Sequence, residues 1–493
     1  MHPLSFSLYL ASLTFVHCAL ENLSTSTSLR PVVTAQNPPS RSPSTPFQNT
    51  AITDSNQTSS SGSLNHSLSF VSSNETRWTI FESDLTEKIF IAPVAEPEDP
   101  DSPGSDDPGS SNASASRAGP LVMAYYSDWL AQRLPPEEIN YPLYDLIDFA
   151  FALPTANFEL EWDDNDSCPG ILKRLVYCAH THGTKVKLSI GGWTGSRYFS
   201  SAVENANNRQ RFTDSILAFY KEFGLDGIDI DWEYPGTKGN DGNQVSPDDS
   251  ANFLAFLRLL RRALPHDAIL TAAATPLPFA GSNGRPMEDV SSFARVLDWV
   301  LIMNYDTWGV SSPPGPNAPL FNACRNSTQP HSSAAAAYDT WTKAGFPASK
   351  LVLGLPTYGY VMSSDEQQLR TREEELDQDP SIAGRVIKLK ADDDSQEGTV
   401  SVRRIIEQGA LVVRDSQLVP AGGFTRYWDH CSCTPFLRSR SAGQVVPYDD
   451  TQSIAMKAEF TKKTGWKGVN FFDLEGDTMS YSLTRAARKS LGR

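Results

Sequence analysis

The sequence predicts an α/β fold, a closed (β/α)8 barrel of the TIM type, and three observations predict it. Short apolar runs alternate with amphipathic segments of helical period from Leu121 onward. The runs number eight, and eight repeated strand–helix units close a parallel sheet on itself. The interval from Val361 to Lys467 is too long for a bare loop, so an inserted lobe is expected there, at about 361–440, between strands seven and eight.

The runs, in order, are Val122–Tyr126, Ile147–Ala152, Val186–Ile190, Gly227–Glu233, Ile269–Thr275, Trp299–Tyr305, Val352–Tyr358 and Val469–Leu474. A helix over Arg209–Phe223 gathers Phe212, Ile216, Phe219 and Phe223 on one face and stops at Gly224. Another starts at Ser246-Pro247-Asp248-Asp249, an N-cap, a first-turn proline and two acids on the positive dipole end. It turns Phe253, Phe256, Leu257 and Leu260 inward and ends at Pro265.

The barrel domain is assigned to 120–493. Ahead of it, Leu4 to Val16 is apolar and leads to short residues at Cys18 and Ala19, a secretory signal over 1–19. That run is too short to span a bilayer. Residues 20–119 are rich in Ser, Thr, Asn and Pro. Apolar periodicity is confined to Trp78–Phe81 and Ile89–Ile91, and an acidic run closes the segment from Glu96 to Gly109. Such sequence buries too little apolar surface to offset its ordering entropy, so a disordered, glycosylated stalk is expected. Acceptor triplets for N-linked sugar at Asn22, Asn56, Asn65, Asn74, Asn112, Asn165 and Asn326 agree with export.

Asp and Glu number 58 against 42 Lys and Arg, a formal net charge of -16. This excess repels phosphate backbones and anionic membrane surfaces and does not penalise a neutral polysaccharide. Of six cysteines, Cys18 leaves with the signal and five remain, an odd number. Cys168 and Cys178 are near enough in sequence to pair, and Cys324 has Cys431 or Cys433 as a partner. Paired Cys-x-x-Cys steps and phosphate-cradling glycine patterns are both lacking, so neither a metal nor an organic cofactor is expected.

The segment from Asp226 to Glu233 carries the chemistry. Side chains alternate faces along a strand, so Asp229, Asp231 and Glu233 share one face and Ile228, Ile230 and Trp232 the other. The apolar set packs on the helix layer and the acids line the barrel interior. Carboxyl groups roughly 6–7 Å apart repel one another, and burying them unpartnered costs several kcal/mol each. Repulsion keeps at least one protonated at neutral pH, which a general acid requires. Glu233 is last in the file, at the C-terminal face where barrel active sites lie. An acidic edge or calcium loop is the bland alternative, and the alternation with Ile, Ile and Trp argues against it.

Asp-x-x-Asp-x-Asp-x-Glu, as it stands from Asp226 to Glu233, is similar to the signature of family 18 glycoside hydrolases, the chitinases, here of fungal type. Ser189-Ile190-Gly191-Gly192 resembles that family's Ser-x-Gly-Gly motif, and Met303-Asn304-Tyr305-Asp306 its Met-x-Tyr-Asp motif. Tyr125 stands where the family has a Tyr beneath the acids. The matches fall in order on the expected strands and span Leu121 to about Tyr481.

The resemblance implies hydrolysis of β-1,4-linked N-acetylglucosamine polymers or oligomers by a substrate-assisted, retaining route. It implies Glu233 as general acid and base, and Asp231 as the group that orients the acetamido and stabilises its positive charge. It further implies Asp229 as a partner sharing a proton with Asp231, and Tyr125 and Ser189 as donors behind them. Tyr305 would bond the acetamido oxygen and Asp306 a sugar hydroxyl or the scissile side, while Asp226 lies off the alternating face as support. Trp193, Trp308, Tyr358 and Trp428 are aromatic residues suited to a sugar track or, equally, to packing. The family's eighth-strand Trp is replaced by Phe472, a smaller stacking face. A carbohydrate-binding relative without catalysis and an endo-β-N-acetylglucosaminidase acting on N-glycans are the alternative readings. A secreted monomer that binds neither nucleic acid nor, once its signal is removed, membrane completes the expectation.

Overall fold

The computed structural model describes residues 119–163, 166–364, 369, 385–392, 398–415 and 417–493, with the backbone of 67–71, 77–81, 90–93 and 378–379. Branched and small apolar residues favour pleated backbone, and each of the eight runs forms a strand. They are β1 (Leu121–Ser127), β2 (Leu146–Pro154), β3 (Lys185–Gly191), β4 (Gly227–Asp231), β5 (Ile269–Ala274), β6 (Trp299–Ile302), β7 (Leu351–Pro356) and β8 (Gly468–Phe472). All pair in parallel with their sequence neighbours, and β8 returns to β1, closing the barrel. Strands β4 to β8 stop short of the expected ends, at Asp231, Ala274, Ile302, Pro356 and Phe472.

Around the strands lie α1 (Cys168–Thr181), α2 (Ala206–Phe223), α3 (Asp249–Ala263), α4 (Ala334–Lys343), α5 (Thr451–Lys463) and α6 (Ser482–Leu491). Helix α2 begins before the expected Arg209, because Asn205 caps it by accepting from the backbone N–H groups of Asn207 and Asn208. It ends at Gly224, whose φ of 63° glycine adopts freely. Ser246 does not cap α3. Asp249 binds the preceding loop instead, accepting from Ser246 N at 2.8 Å, Gly236 N at 3.2 Å and Ser200 Oγ at 2.6 Å.

The lobe between β7 and β8 is built on a five-stranded antiparallel sheet, in the order Met362–Ser363, Gln444–Pro447, Thr434–Ser439, Thr425–Asp429 and Gln378–Asp379, with two two-stranded ribbons and the helix Val402–Glu407 beside it in sequence. It runs on to Pro447, past the expected boundary near 440, because the Gln444–Pro447 strand completes its pairing with both neighbours. Cys324 joins Cys431 and so ties the segment after β6 to this lobe. Cys168 and Cys178 are not joined. Both lie on α1, where ten residues of helix hold them about 15 Å apart. Cys168 Sγ donates instead to Asp128 Oδ2 at 2.9 Å.

The expected signal over 1–19 and the Asn165 acceptor site lie outside the described residues, and so does most of the expected stalk. Within 20–119 the structure describes a three-stranded antiparallel sheet over Ser67–Val71, Arg77–Phe81 and Phe90–Pro93. Both apolar runs noted in that segment contribute strands to it. Among the described residues no helix is long and apolar enough to cross a membrane.

Candidate functional site

Strand β4 is oriented by its outward side. Ile228 and Ile230 are fully buried, and Trp232 stacks on Phe199 at 5.2 Å between centroids and meets Phe253 edge-on at 5.4 Å. This anchoring turns Asp229 and Asp231 into the barrel, where they are 1% and 4% exposed. Glu233 is half-buried, two residues past the strand end. Its N–H donates to Ser196 Oγ at 2.9 Å, and its carbonyl accepts from Asn243 Nδ2 at 3.1 Å.

The two buried aspartates have opposite environments. Asp229 is saturated: Tyr125 OH and Ser189 Oγ each donate to its Oδ2 at 2.9 Å, and Thr271 Oγ1 donates to Oδ1. Asp231 Oδ1 is buried with no hydrogen-bond partner. Burial first, then repulsion from Glu233, Asp229 and Asp148, pushes the Asp231 carboxyl well above the usual carboxylate range. Burial and like-charge repulsion therefore both favour the protonated form of Asp231. Burial, reinforced by nearby acids, likewise raises the phenols of Tyr125 and Tyr305, which keeps both as neutral donors.

The remaining sequence-picked residues take these places. Asp306, exposed at φ 55°, accepts from Tyr358 OH at 2.5 Å and Tyr360 OH at 2.6 Å, and its N–H is held by Asn317 Oδ1 at 2.9 Å. Phe472 lies 5.4 Å from the ring of Tyr125, 6.1 Å from that of Tyr305 and 6.4 Å from that of Tyr358. Met303 packs against the barrel-interior cluster that includes Tyr125 and Ala273. Trp193 stands out into solvent, 42% exposed, just after β3. Trp308 is partly buried and covers Gly315, where an added Cβ would meet its ring at 2.3 Å. Asp226 lies outside the file. Its Oδ2 accepts from Val186 N and lies beside His180 Nε2, each at 2.8 Å, which anchors the start of β4. Trp428 does not join any sugar track: it is 3% exposed in the lobe sheet, beneath Arg426.

Sequence reasoning missed three features. Trp129, 52% exposed after β1 and stacked with Phe151, lines a cleft of about 270 Å³ with Asp306, Tyr358, Tyr360 and Phe472. Ser196 holds the backbone of both Asp231 and Glu233. Lys187, Asp148 and Asn470 form a buried polar chain beneath the acids. The signal for the last was present, because a Lys and an Asp interrupt otherwise apolar strand runs. Among the described residues no group of three or more His, Cys, Asp or Glu is arranged to hold a metal ion.

The profile of glycosyl hydrolases family 18 matches residues 121–477. A chitinase-like effector of Moniliophthora roreri is 33% identical over 380 residues, 74% of this chain and 91% of that protein. Chitinase A1 of Niallia circulans is 30% identical over 310 residues, 59% of this chain and 40% of that one. The crystal structure of a chitinase from Rhizomucor miehei matches with a TM-score of 0.63 and 31% identity, covering 75% of this chain and 99% of that one. The matched profile takes in the whole acidic file, its hydroxyl donors and Asp306, and the chain belongs to family 18 of the glycosyl hydrolases.

Proposed function

We propose that the protein hydrolyses β-1,4-linked N-acetylglucosamine polymers or oligomers, with retention at the anomeric carbon and with the substrate's own acetamido group as nucleophile. The observation that carries this reading is the unequal pair of aspartates behind Glu233: one saturated by donors, the other with a buried, unpartnered oxygen. An unpartnered buried carboxyl oxygen is costly unless a ligand completes it. An acetamido N–H is a donor of the required kind.

In this mechanism the Glu233 carboxyl donates its proton to the glycosidic oxygen. The bond from the anomeric carbon to that oxygen breaks while the acetamido carbonyl oxygen bonds to the same carbon. Asp231, its proton passed to the shared position with Asp229, accepts from the acetamido N–H and offsets the positive charge that grows on the resulting oxazolinium ring. Tyr305, a neutral phenol, donates to the acetamido oxygen and orients it. The Glu233 carboxylate then removes a proton from water, which attacks the anomeric carbon and opens the ring. Two displacements at one carbon leave its configuration retained. Trp129, Tyr358 and Phe472 offer ring faces to the sugar, and Asp306 accepts from a hydroxyl.

Relatives named as chitinases support the substrate class. The Cys324–Cys431 disulfide supports an oxidising compartment, in keeping with a secreted protein whose residues 1–19 are a signal and whose residues 20–119 are a glycosylated spacer.

The test is cleavage of an N-acetylglucosamine oligomer by the parent and by Glu233→Gln, which keeps size and hydrogen bonding but has no transferable proton. A loss of about a hundredfold or more is expected in the variant. A parent that binds the oligomer without cutting it would favour a chitin-binding protein instead. Equal cleavage by both would remove Glu233 from the mechanism.

A further inference from the structure

The barrel interior holds a cation that the mechanism above does not use. Lys187 lies on β3 two residues before Ser189, on the same inward face, and is 1% exposed. Its Nζ is 3.0 Å from Asp148 Oδ1 on β2 and 3.8 Å from Asp229 Oδ1 on β4. The same Nζ donates to Thr271 Oγ1 on β5 and lies 4.8 Å over the Trp299 ring on β6. Asn470 on β8 donates to Asp148 Oδ2 at 2.9 Å, and Tyr125 on β1 donates to Asp229. Strand β7 adds apolar Val352 to this interior.

Taking an ammonium out of water costs several kcal/mol, and a fully buried Lys is rare unless paired. An aliphatic side chain would fill this position with no such cost, so packing alone does not account for the charge. Burial pushes the Asp148 carboxyl up to about 6 even against the pull of Lys187. Asp148 in turn adds to the repulsion that raises Asp231. Among the described residues, the ionisable groups that interact with Asp229 are Tyr125, Asp148, Lys187 and Asp231, with Glu233 and Tyr305 acting on Asp231 beyond. Lys187 is the one cation among them.

We infer that Lys187 and Asp148 form a charge-setting pair beneath the acidic file: Lys187 is a positioning residue that supplies counter-charge to Asp229, and Asp148 governs how much of that charge reaches it. The inference rests on the hydrolytic reading above. A cation within about 4 Å favours the charged form of a carboxylate, and a second anion on that cation divides the effect. The pair therefore acts with opposite signs when its two members are removed separately.

Four full-length proteins test this: the parent, Lys187→Met, Asp148→Asn and the double variant. The readout is the acidic limb of the pH profile of kcat/KM on an N-acetylglucosamine oligomer. Lys187→Met keeps the aliphatic stem without the charge, so the limb moves to higher pH by about one unit or more. Asp148→Asn leaves the Lys187 charge undivided, so the limb moves to lower pH. The double variant returns to within about half a unit of the parent, with KM little changed throughout. Limbs that do not move, or that move the same way in both single variants, would overturn the inference and leave Lys187 a structural residue. If Lys187→Met does not fold, Asp148→Asn and the double variant still carry the sign.

A parent that cleaves nothing would refute the hydrolytic reading alone. The pair is then read by titrating the aspartate carboxyl carbons with carbon-13 NMR. An aspartate carboxyl carbon that titrates about one unit higher in Lys187→Met than in the parent is expected, and an unchanged set of titration curves overturns the inference.

Discussion

Replacing Gly191 by Ala tests how the acidic file is held. Gly191 ends β3 at φ 114°, ψ −106°, a region that side-chain-bearing L-residues rarely enter, at a cost of about 1–3 kcal/mol. An added Cβ would lie 2.2 Å from the Asp231 carbonyl oxygen and 2.6 Å from Phe199 Cε2. Contacts that short must open by about 1 Å, and overpacking of this kind costs about 1–3 kcal/mol more. The total is about 2–6 kcal/mol. The group displaced is the backbone of Asp231, so a loss of about a hundredfold in kcat accompanies the loss of stability. Gly224→Ala is the control: φ is also positive there, at 63°, but nothing lies within 4 Å of the added Cβ. It should cost about 1–2 kcal/mol and leave activity intact. Urea unfolding gives the stabilities, and initial rates on an oligomer give the activities. A Gly191→Ala protein as stable as the Gly224→Ala control, and fully active, would refute the claim that β3 presses on Asp231.

Two further outcomes are expected. Ser196 is fully buried; its Oγ accepts from Glu233 N and lies 3.2 Å from the Asp231 carbonyl, so Ser196→Ala should lower kcat about tenfold with KM unchanged. A rise in KM at constant kcat would move Ser196 from positioning to substrate binding. Burial raises the Asp473 carboxyl to about 6 against the donors Gly476 N and Ser127 Oγ. A raised folded value binds a proton that the unfolded chain has released, so this contribution is present at low pH. It is lost as pH rises from about 4 through about 6, by up to about 3 kcal/mol. Asp473→Asn should therefore gain stability relative to the parent across that window in urea titrations at several pH values. A difference that stays constant with pH would show that the shift is absent.

The barrel was legible because two periodicities are local, a period of two within strands and the helical period in the segments between them. Period two in Asp229–Glu233 set three carboxyls on one face, and Ile228, Ile230 and Trp232 fixed which face turned inward. The lobe was legible only as an interval too long for a loop, because its sheet pairs short strands whose partners lie far apart, as Met362 does with Val445. The same distance hid Ser196, Trp129 and the Lys187–Asp148–Asn470 chain, which closure of the barrel brings under or beside the acids from separate strands. Trp428 misled for the converse reason: an aromatic in an inserted lobe faces the sugar or the lobe's own core according to pairings that sequence spacing does not encode. The proximity of Cys168 to Cys178 was likewise meaningless once both fell on one rigid helix.

In the mechanism proposed above, the substrate's acetamido group is the nucleophile and Glu233 its acid and base. Following the anomeric protons of freshly released product by NMR, before mutarotation, tests this most directly. By that mechanism the β-anomer appears first, and Glu233→Gln releases almost none. First appearance of the α-anomer would mean inversion by direct attack of water and would contradict the mechanism derived from Asp231 and Glu233.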